Sequence, residues 1–247
     1  LVQGMELAVG EIAQVLQQSQ PRVSRHLRIL AEAGLVERGR EGAWVFVRLG
    51  PAAISGPALA AIAALTGGAD LGAADRARLA VVRADRAAAV DSWFAAHAAE
   101  WEQERSLHTR EAGVEQAIAE VLDGDLGDLV DVGTGTGRMI ELLAPRARTA
   151  LGLDRNPEML RIARNRLEAA GLTAARVQTG DMYALPLAGE AADTLVLHQV
   201  LHFADNPAAA ISEAARVLRP GGRLLVIDLM PHNREELRVE RRHLRLG

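Results

Sequence analysis

The chain has 247 residues, of which 49% are hydrophobic and 24% are charged, a composition typical of globular proteins with one large domain or two smaller ones. It contains no cysteine, which excludes disulfides, zinc–thiolate sites and thiol nucleophiles. The formal net charge of -4 provides no overall attraction to nucleic acid, so any DNA-binding surface must be a local patch. Since no apolar run reaches the roughly eighteen residues of a membrane span and no secretion signal is visible, we expect a cytoplasmic protein without membrane contact.

Two short helices are predicted near the N-terminus. The first covers Gly10–Leu16, where apolar residues recur at helical spacing. The second covers 20–32, because Ser19 is a good N-cap, Pro21 falls in the first turn and Gly34 suits a C-cap. This pair has the arrangement of a helix-turn-helix motif.

The second helix has two distinct faces. Val23, Leu27 and Leu30 predict a buried face at helical spacing. Another face carries an arginine at every third position, namely Arg22, Arg25 and Arg28. A solvated face would look the same, so the argument depends on these arginines being on the helix that enters the DNA groove.

A hairpin is predicted after the second helix. Leu35–Arg38 and Ala43–Leu49 flank the turn residues 39–42, and the second of these segments alternates valine and leucine with other side chains. Such a hairpin is typical of a wing, and Arg38 and Arg40 near its tip suit phosphate or minor-groove contacts.

Several strings in residues 5–50 resemble the ArsR/SmtB family of winged-helix repressors, namely Ser19–Leu27, Gly34–Val36 and Glu41–Phe46. The resemblance implies a homodimer, joined through residues 1–66 and parts of 74–104, that binds double-stranded operator DNA. The residues that it implies in DNA binding are Gln20, Arg22, Ser24, Arg25, His26, Arg28, Arg38 and Arg40.

The metal-sensing residues of that family are not present in this chain. Arsenic-sensing members carry cysteines where this chain has Ala8 and Gly10. The family's other metal pattern, a paired Asp-x-His on the dimer helix, has no match in residues 52–104. We therefore expect no metal site.

An alanine-rich helical region follows, for which we predict a linker or cofactor lid over 67–115 between a winged-helix domain over 1–66 and a third domain over 116–247. Trp93, His97 and Trp101 recur at helical spacing and favour either a buried face or a lid. The helices in 74–104 are expected to be the only covalent route between the outer domains.

The remaining residues predict an α/β fold with a parallel sheet, because short apolar strands alternate with amphipathic helices. The predicted strands are Leu126–Val132, Ala150–Leu153, Ala175–Thr179, Thr194–Leu197 and Arg223–Leu229. The predicted helices are Met139–Leu143, Pro157–Ala170 and Pro207–Leu218.

A glycine-rich loop, 131–137, follows the first of these strands and opens a helix. Asp154 ends the next strand, where a carboxylate can hold ribose hydroxyls. A dinucleotide enzyme would share this pair, but the glycine spacing is GxGxG and Arg138 stands where the third glycine of a dinucleotide loop belongs. Asp131 precedes the first glycine and suits a cationic ligand better than a pyrophosphate.

The loop and four further motifs, in order, resemble the class I SAM-dependent methyltransferases over residues 115–230. The fold implied is a Rossmann-like domain with five parallel strands, and the cofactor implied is S-adenosyl-L-methionine (SAM) or S-adenosyl-L-homocysteine (SAH). The family's closing antiparallel hairpin is not visible, so we expect a C-terminally incomplete domain. The cofactor-binding residues implied are Asp131, Gly133, Thr134, Gly135, Asp154, Arg155, Asp181, Met182, His198 and Gln199.

His198 and His202 follow the fourth strand and are the candidate catalytic residues. His202 resembles the base of natural-product O-methyltransferases, although Phe203 and Ala204 replace the Asp-Trp pair that follows it there. Both histidines could instead line the pocket, since a base is needed only where the acceptor must lose a proton.

Three functions remain open at this point. The chain is predicted to be an ArsR-type regulator with a methyltransferase domain acting on an unidentified small-molecule acceptor, with SAM, SAH or the acceptor as effector. It could instead be a non-catalytic SAM/SAH sensor. It could also be a small-molecule O- or C-methyltransferase whose winged-helix domain serves only for dimerisation.

Overall fold

The structure, a computed structural model, describes residues 2, 6–41, 43–65, 72–97 and 111–247. Trp101, predicted as part of a lid, lies outside the described residues. The chain forms two compact units: residues 1–89 with 231–246 make up the N-terminal unit, and residues 90–230 make up the central unit. These bounds differ from the predicted domain boundaries at 66 and 115, which remain predictions. Within the described ranges, no helix is both long enough and apolar enough to cross a membrane.

Within the described residues, the N-terminal unit contains three strands and four complete helices, and a fifth helix begins in it. In chain order, the elements are β1 (Leu7–Ala8), α1 (Val9–Leu16), α2 (Gln20–Glu32), β2 (Val36–Glu41), β3 (Trp44–Leu49), α3 (Ala52–Leu65), α4 (Ala73–His97) and, from the C-terminal segment, α9 (Glu236–Glu240). The strands form an antiparallel sheet in the order β1-β3-β2, as in a winged helix. The division between the units falls within α4, after Ala89.

The core of this unit is a single apolar cluster that joins the helices to the sheet. Val23 and Leu27 of α2 pack there with Val15 of α1 and Val47 of β3, all at most 7% exposed. Leu30, predicted on the same buried face, is 38% exposed, so that prediction was wrong. Arg38 and Arg40 lie within β2, paired with Val47 and Val45, because this strand continues to Glu41.

The C-terminal segment 231–246 packs against the wing strands. Leu244 shares a buried cluster with Phe46 of β3, and the guanidinium of Arg245 lies 4.6 Å from the Phe46 ring centroid and pairs with Glu6. Arg238 lies 4.9 Å from the ring centroid of Trp44. The chain therefore passes between the units twice, and the expectation that 74–104 is the only covalent route was wrong.

The central unit contains a five-stranded sheet in the order β6-β5-β4-β7-β8, with every neighbouring pair parallel, as predicted. Its elements are α5 (Glu111–Val121), β4 (Asp128–Val132), α6 (Arg138–Leu143), β5 (Thr149–Asp154), α7 (Pro157–Ala169), β6 (Ala175–Thr179), β7 (Ala192–His198), α8 (Pro207–Val217) and β8 (Leu218–Ile227). Two apolar clusters include buried residues of β4 and β7, whose strands are covered on both faces.

Local sequence explains where the helices beside the site begin. Asn156 is the N-cap of α7, and its side chain accepts hydrogen bonds from the backbone N–H groups of Glu158 and Met159. Asn206 caps α8 in the same way by accepting from Ala209. A proline follows each asparagine at the first helical position, where no backbone N–H is needed.

An arginine–aspartate cluster fastens the amino-terminal ends of the sheet strands, the end opposite the glycine loop. Arg219, just inside β8, contacts Asp193 at 2.8 Å and Asp128 at 3.0 Å, and Arg148 also pairs with both carboxylates. Hydrogen bonds from Arg148 and Thr149 lower the pKa of Asp128 to about 2 against the raising effect of burial. The Arg219-Pro220-Gly221-Gly222 turn therefore has a structural role at that edge.

Candidate functional site

The predicted cofactor residues lie together at the carboxyl edge of the central sheet, where ligands bind in open α/β folds. Four consecutive strands supply them. Those of β4 and its loop are Asp131, Gly133, Thr134 and Gly135. Those of β5, β6 and β7 and the residues after them are Asp154, Arg155, Asp181, Met182, His198 and Gln199.

The backbone N–H groups at the start of the glycine loop bond within the protein. Gly133 and Thr134 both donate to the Leu153 carbonyl, at 2.8 and 3.0 Å, and Gly135 donates to Oδ2 of Asp154 at 2.8 Å. A loop that binds pyrophosphate instead turns such N–H groups toward the phosphates. The loop is therefore unsuited to a dinucleotide, in agreement with the sequence argument.

Glycine is required at positions 133 and 135 of the loop for different structural reasons. A Cβ on Gly133 would lie 2.4 Å from Cγ2 of Val200, so Gly133 permits close packing of the loop that follows β7. A Cβ on Gly135 would meet nothing within 4 Å. Both have positive φ, +75° and +53°. Gly135 therefore borders open space through which a ligand can approach the backbone closely.

Asp154 is held in a fixed orientation with acceptor capacity to spare. Oδ1 accepts from the Asn156 N–H and Oδ2 from the Gly135 N–H, both at 2.8 Å. A carboxylate has about four lone-pair sites, so about two remain for a pair of ribose hydroxyls. Burial raises the pKa of Asp154 above its usual value, although these backbone donors oppose the shift.

The last turns of α4 contact the loop that carries Asp154. The carbonyl of Asp91 accepts from Nδ2 of Asn156 at 2.9 Å, and its carboxylate pairs with Arg155 at 3.0 Å. Two residues further on, Trp93 stacks on His97, with ring centroids 4.6 Å apart. Asp91 was not predicted from the sequence. Arg155, which was predicted to bind the cofactor, is exposed and forms this ion pair with Asp91.

Two predicted residues after β6 form a tight turn. Oδ1 of Asp181 accepts from the Tyr183 N–H at 2.9 Å, and the Asp181 carbonyl accepts from Ala184. Asp181 itself is exposed, whereas Met182 is half-buried against the apolar cluster that includes Leu185. The turn thus presents a carboxylate beside an apolar surface, which suits an adenine ring with its amino group.

The loop after β7 contains a histidine–aspartate pair. Nδ1 of His202 lies 2.6 Å from Oδ1 of Asp228, which follows β8, and the His202 side chain is 5% exposed. Burial raises the pKa of Asp228, but the hydrogen bond and charge of His202 outweigh it, so the net shift is downward. His198, the other predicted catalytic residue, is the last residue of β7 and half-buried. Asp228 was not predicted.

The predicted DNA-binding residues of α2 share a solvent-facing surface. Gln20, Arg22, Arg25, His26 and Arg28 are exposed and Ser24 is half-buried, while Val23 and Leu27 face the core. Arg38 and Arg40 of β2 are exposed as well. This surface meets the requirement of a recognition helix for exposed basic side chains, which a solvated helix face would also meet.

Fold and site together define the class of the central unit: it is a class I SAM-dependent methyltransferase domain, joined to an ArsR-type winged-helix region. Two family comparisons agree with this assignment. Residues 130–226 match the methyltransferase domain family, and residues 1–38 match the bacterial regulatory protein arsR family.

Individual relatives cover only part of the chain. A demethylmenaquinone methyltransferase of Tropheryma whipplei (strain Twist) is 36% identical over 101 residues, 41% of this chain and 41% of the relative. An uncharacterized 37.1 kDa protein in transposon TN4556 of Streptomyces fradiae is 40% identical over 94 residues, 38% of this chain and 26% of the relative. The chain therefore spans less than half the length of these curated relatives.

A solved structure gives the same fold. It is a complex between the Trm112 methyltransferase activator of Haloferax volcanii and a protein described as a methyltransferase. The matched chain is 25% identical with a TM-score of 0.51, over 59% of this chain and 66% of that one.

Proposed function

We propose that the protein is a cytoplasmic, homodimeric transcriptional regulator that binds operator DNA through α2 and the wing and SAM or SAH through its methyltransferase domain. In this proposal the domain transfers the SAM methyl group to a small-molecule acceptor, and cofactor or acceptor binding changes the affinity for DNA. The name of the demethylmenaquinone relative suggests a ring compound as one acceptor to test.

A single element supports the regulatory part of the proposal. Helix α4 is bound within the N-terminal unit by the ion pair of Arg86 with Glu11 and by a hydrogen bond from Arg78 to the Val15 carbonyl. Five residues after Arg86, Asp91 contacts Asn156 and Arg155 in the loop of Asp154, the residue that we propose for ribose binding. Helix α4 therefore contacts α1 of the helix-turn-helix through Arg78 and Arg86 and the loop after β5 through its last turns.

Glu11, the partner of Arg86, also caps the first helix of the helix-turn-helix. Its second carboxylate oxygen accepts from the Ala8 N–H at 2.8 Å and so caps α1, which packs on α2. A movement of α4 that weakens the Arg86 pair would therefore disturb the N-terminus of α1. This favours an effector that acts through α4 over a metal at Ala8 and Gly10.

The cofactor part is tested by Asp154→Asn. We expect SAH affinity to fall by about 10- to 100-fold, because each hydrogen bond to a charged group contributes about 1.5–3 kcal/mol. The unfolding temperature should also fall modestly, because an asparagine side chain has one acceptor oxygen and cannot accept both backbone N–H groups, of Asn156 and Gly135, that bond to Asp154. Calorimetric titration with SAH measures the first quantity and scanning calorimetry the second.

The exposed carboxylate Glu168 of α7 provides the control, since Glu168→Gln removes a charge far along the helix from the loop. It should leave SAH affinity unchanged. Unchanged affinity in Asp154→Asn as well would refute the ribose assignment.

The DNA part is tested by retention of duplex fragments from the source genome, followed by footprinting. The proposal expects a pseudo-palindromic site with half-sites about one helical turn apart, or a multiple of it. If no duplex is ever retained, the winged-helix region serves dimerisation only.

A further inference from the structure

The carboxylate of Asp228 makes three contacts with one short segment of the chain. Its Oδ1 lies 2.6 Å from Nδ1 of His202, and its Oδ2 accepts from the backbone N–H groups of Leu201, at 2.8 Å, and of His202, at 3.2 Å. One side chain thus fixes both the imidazole ring and the backbone to which it is attached.

We propose that Asp228 is a positioning residue that orients His202 as a general base, and that the methyl acceptor carries a hydroxyl of phenol-like acidity. The proposal rests on the proposed methyl transfer and deepens it, because it names the class of acceptor.

The hydrogen bond determines which ring nitrogen can take a proton. A carboxylate only accepts, so Nδ1 of His202 donates to Asp228 and the neutral ring keeps its lone pair on Nε2. Asp228 is held in its ionised form and stabilises the imidazolium that forms when Nε2 is protonated. Because the pair is largely buried, solvent weakens this stabilisation little.

The segment that carries His202 adjoins the cofactor loop. Val200 packs so closely on Gly133 that a Cβ there would lie 2.4 Å from it. Phe203 packs edge-on against Phe94 of α4, with ring centroids 5.1 Å apart. The segment that carries His202 is therefore packed against the glycine loop on one side and against the aromatic end of α4 on the other.

The proposed step balances without a further reactant. The acceptor oxygen attacks the methyl carbon, so that a C–O bond forms while the C–S bond breaks and its electron pair stays on sulfur, which yields SAH. The hydroxyl proton passes to Nε2 of His202 and later to solvent. A phenolic hydroxyl, with a pKa near 10, gives up its proton to a general base far more readily than an aliphatic alcohol does.

The experiment uses the full-length protein with methyl-labelled SAM and three probe acceptors: 1,4-dihydroxynaphthalene, catechol and aniline. We expect the label on oxygen in one or both hydroxyl compounds and no label in aniline, and label on a ring carbon alone would overturn the proposal. Transfer to aniline alone, or to no probe while SAH still binds, overturns the acceptor class and leaves the cofactor site intact. If the full-length protein does not bind SAH at all, the proposed function itself would be contradicted.

The orienting role is tested with His202→Gln, Asp228→Asn and the double variant on the accepted probe. We expect kcat to fall by about 10²- to 10⁴-fold in His202→Gln, as for removal of a general base, and less in Asp228→Asn, with KM and SAH affinity little changed. The losses should not add in the double variant, because Asp228 acts through His202. Additive losses, or an equal fall of SAH affinity and unfolding temperature, would assign Asp228 to the fold alone.

Discussion

Duplex DNA held by the native protein is expected to dissociate steeply as salt rises. Arg22, Arg25 and Arg28 of α2 are exposed, so the proposed dimer would present two copies of each to the phosphates. Each phosphate contact contributes about -0.9 to the slope of log affinity against log salt, so six contacts give a slope of roughly -5. Affinity should fall by about 10³-fold between 50 and 200 mM salt, measured by anisotropy on a footprinted fragment.

Arg25→Gln should weaken this binding and reduce the slope by about two in a dimer, one phosphate contact per subunit. Arg164→Gln is the matched control, because Arg164 is an exposed arginine of α7 in the methyltransferase domain. A slope that is nearly flat, or the same loss in both variants, would contradict the assignment of α2 as recognition helix.

Replacing each of the two loop glycines by alanine is expected to affect a different property, stability for Gly133 and SAH binding for Gly135. Gly133→Ala brings its Cβ against Val200 at positive φ, and overpacking with left-handed strain costs about 2–5 kcal/mol of stability. Gly135→Ala has room within the protein, so its cost is the strain of about 1–2 kcal/mol, but its methyl group fills space that the cofactor approaches. SAH binding should fall by at least about 10-fold in Gly135→Ala, roughly the penalty for one misplaced methyl group.

Scanning calorimetry and SAH titration on both variants separate these effects. The expected pattern is a lowered unfolding temperature in Gly133→Ala and lost SAH affinity with a smaller thermal change in Gly135→Ala. If Gly135→Ala binds SAH like the native protein, the cofactor does not approach this part of the loop.

Local patterns in the sequence predicted the sheet and most of the cofactor edge. Strand β6 has the predicted bounds, and the other strands differ by a few residues at their ends. This succeeded because buried parallel strands are short apolar runs and because polar residues that end such strands meet at one edge. The hairpin bounds shifted because strand pairing continues through Glu41, which turn residues alone do not reveal.

Long-range contacts explain what the sequence did not predict. Asp228 reaches His202 across 26 residues and Asp91 reaches Asn156 across 65, so no local spacing could indicate either pair. Leu30 matched the helical period of Val23 and Leu27, but periodicity does not say where the core ends. The charged segment 231–246 gave no sign that Arg238 and Arg245 would cover the aromatic rings of the wing.

In the proposed function, one helix, α4, couples the cofactor site to DNA binding. A ligand can shift DNA affinity only by as much as it prefers one conformation, typically 1–3 kcal/mol, and DNA must shift ligand affinity by the same factor. Arg86→Gln, which breaks the pair with Glu11, should reduce this coupling without abolishing SAH binding.

The most direct test is titration of a labelled operator fragment with the native protein, with and without saturating SAH. Coupling through α4 predicts a severalfold change in operator affinity, an equal change in SAH affinity on adding operator, and no response to arsenite or zinc. Equal operator affinity with and without SAH would contradict it and leave the two units connected by the chain alone.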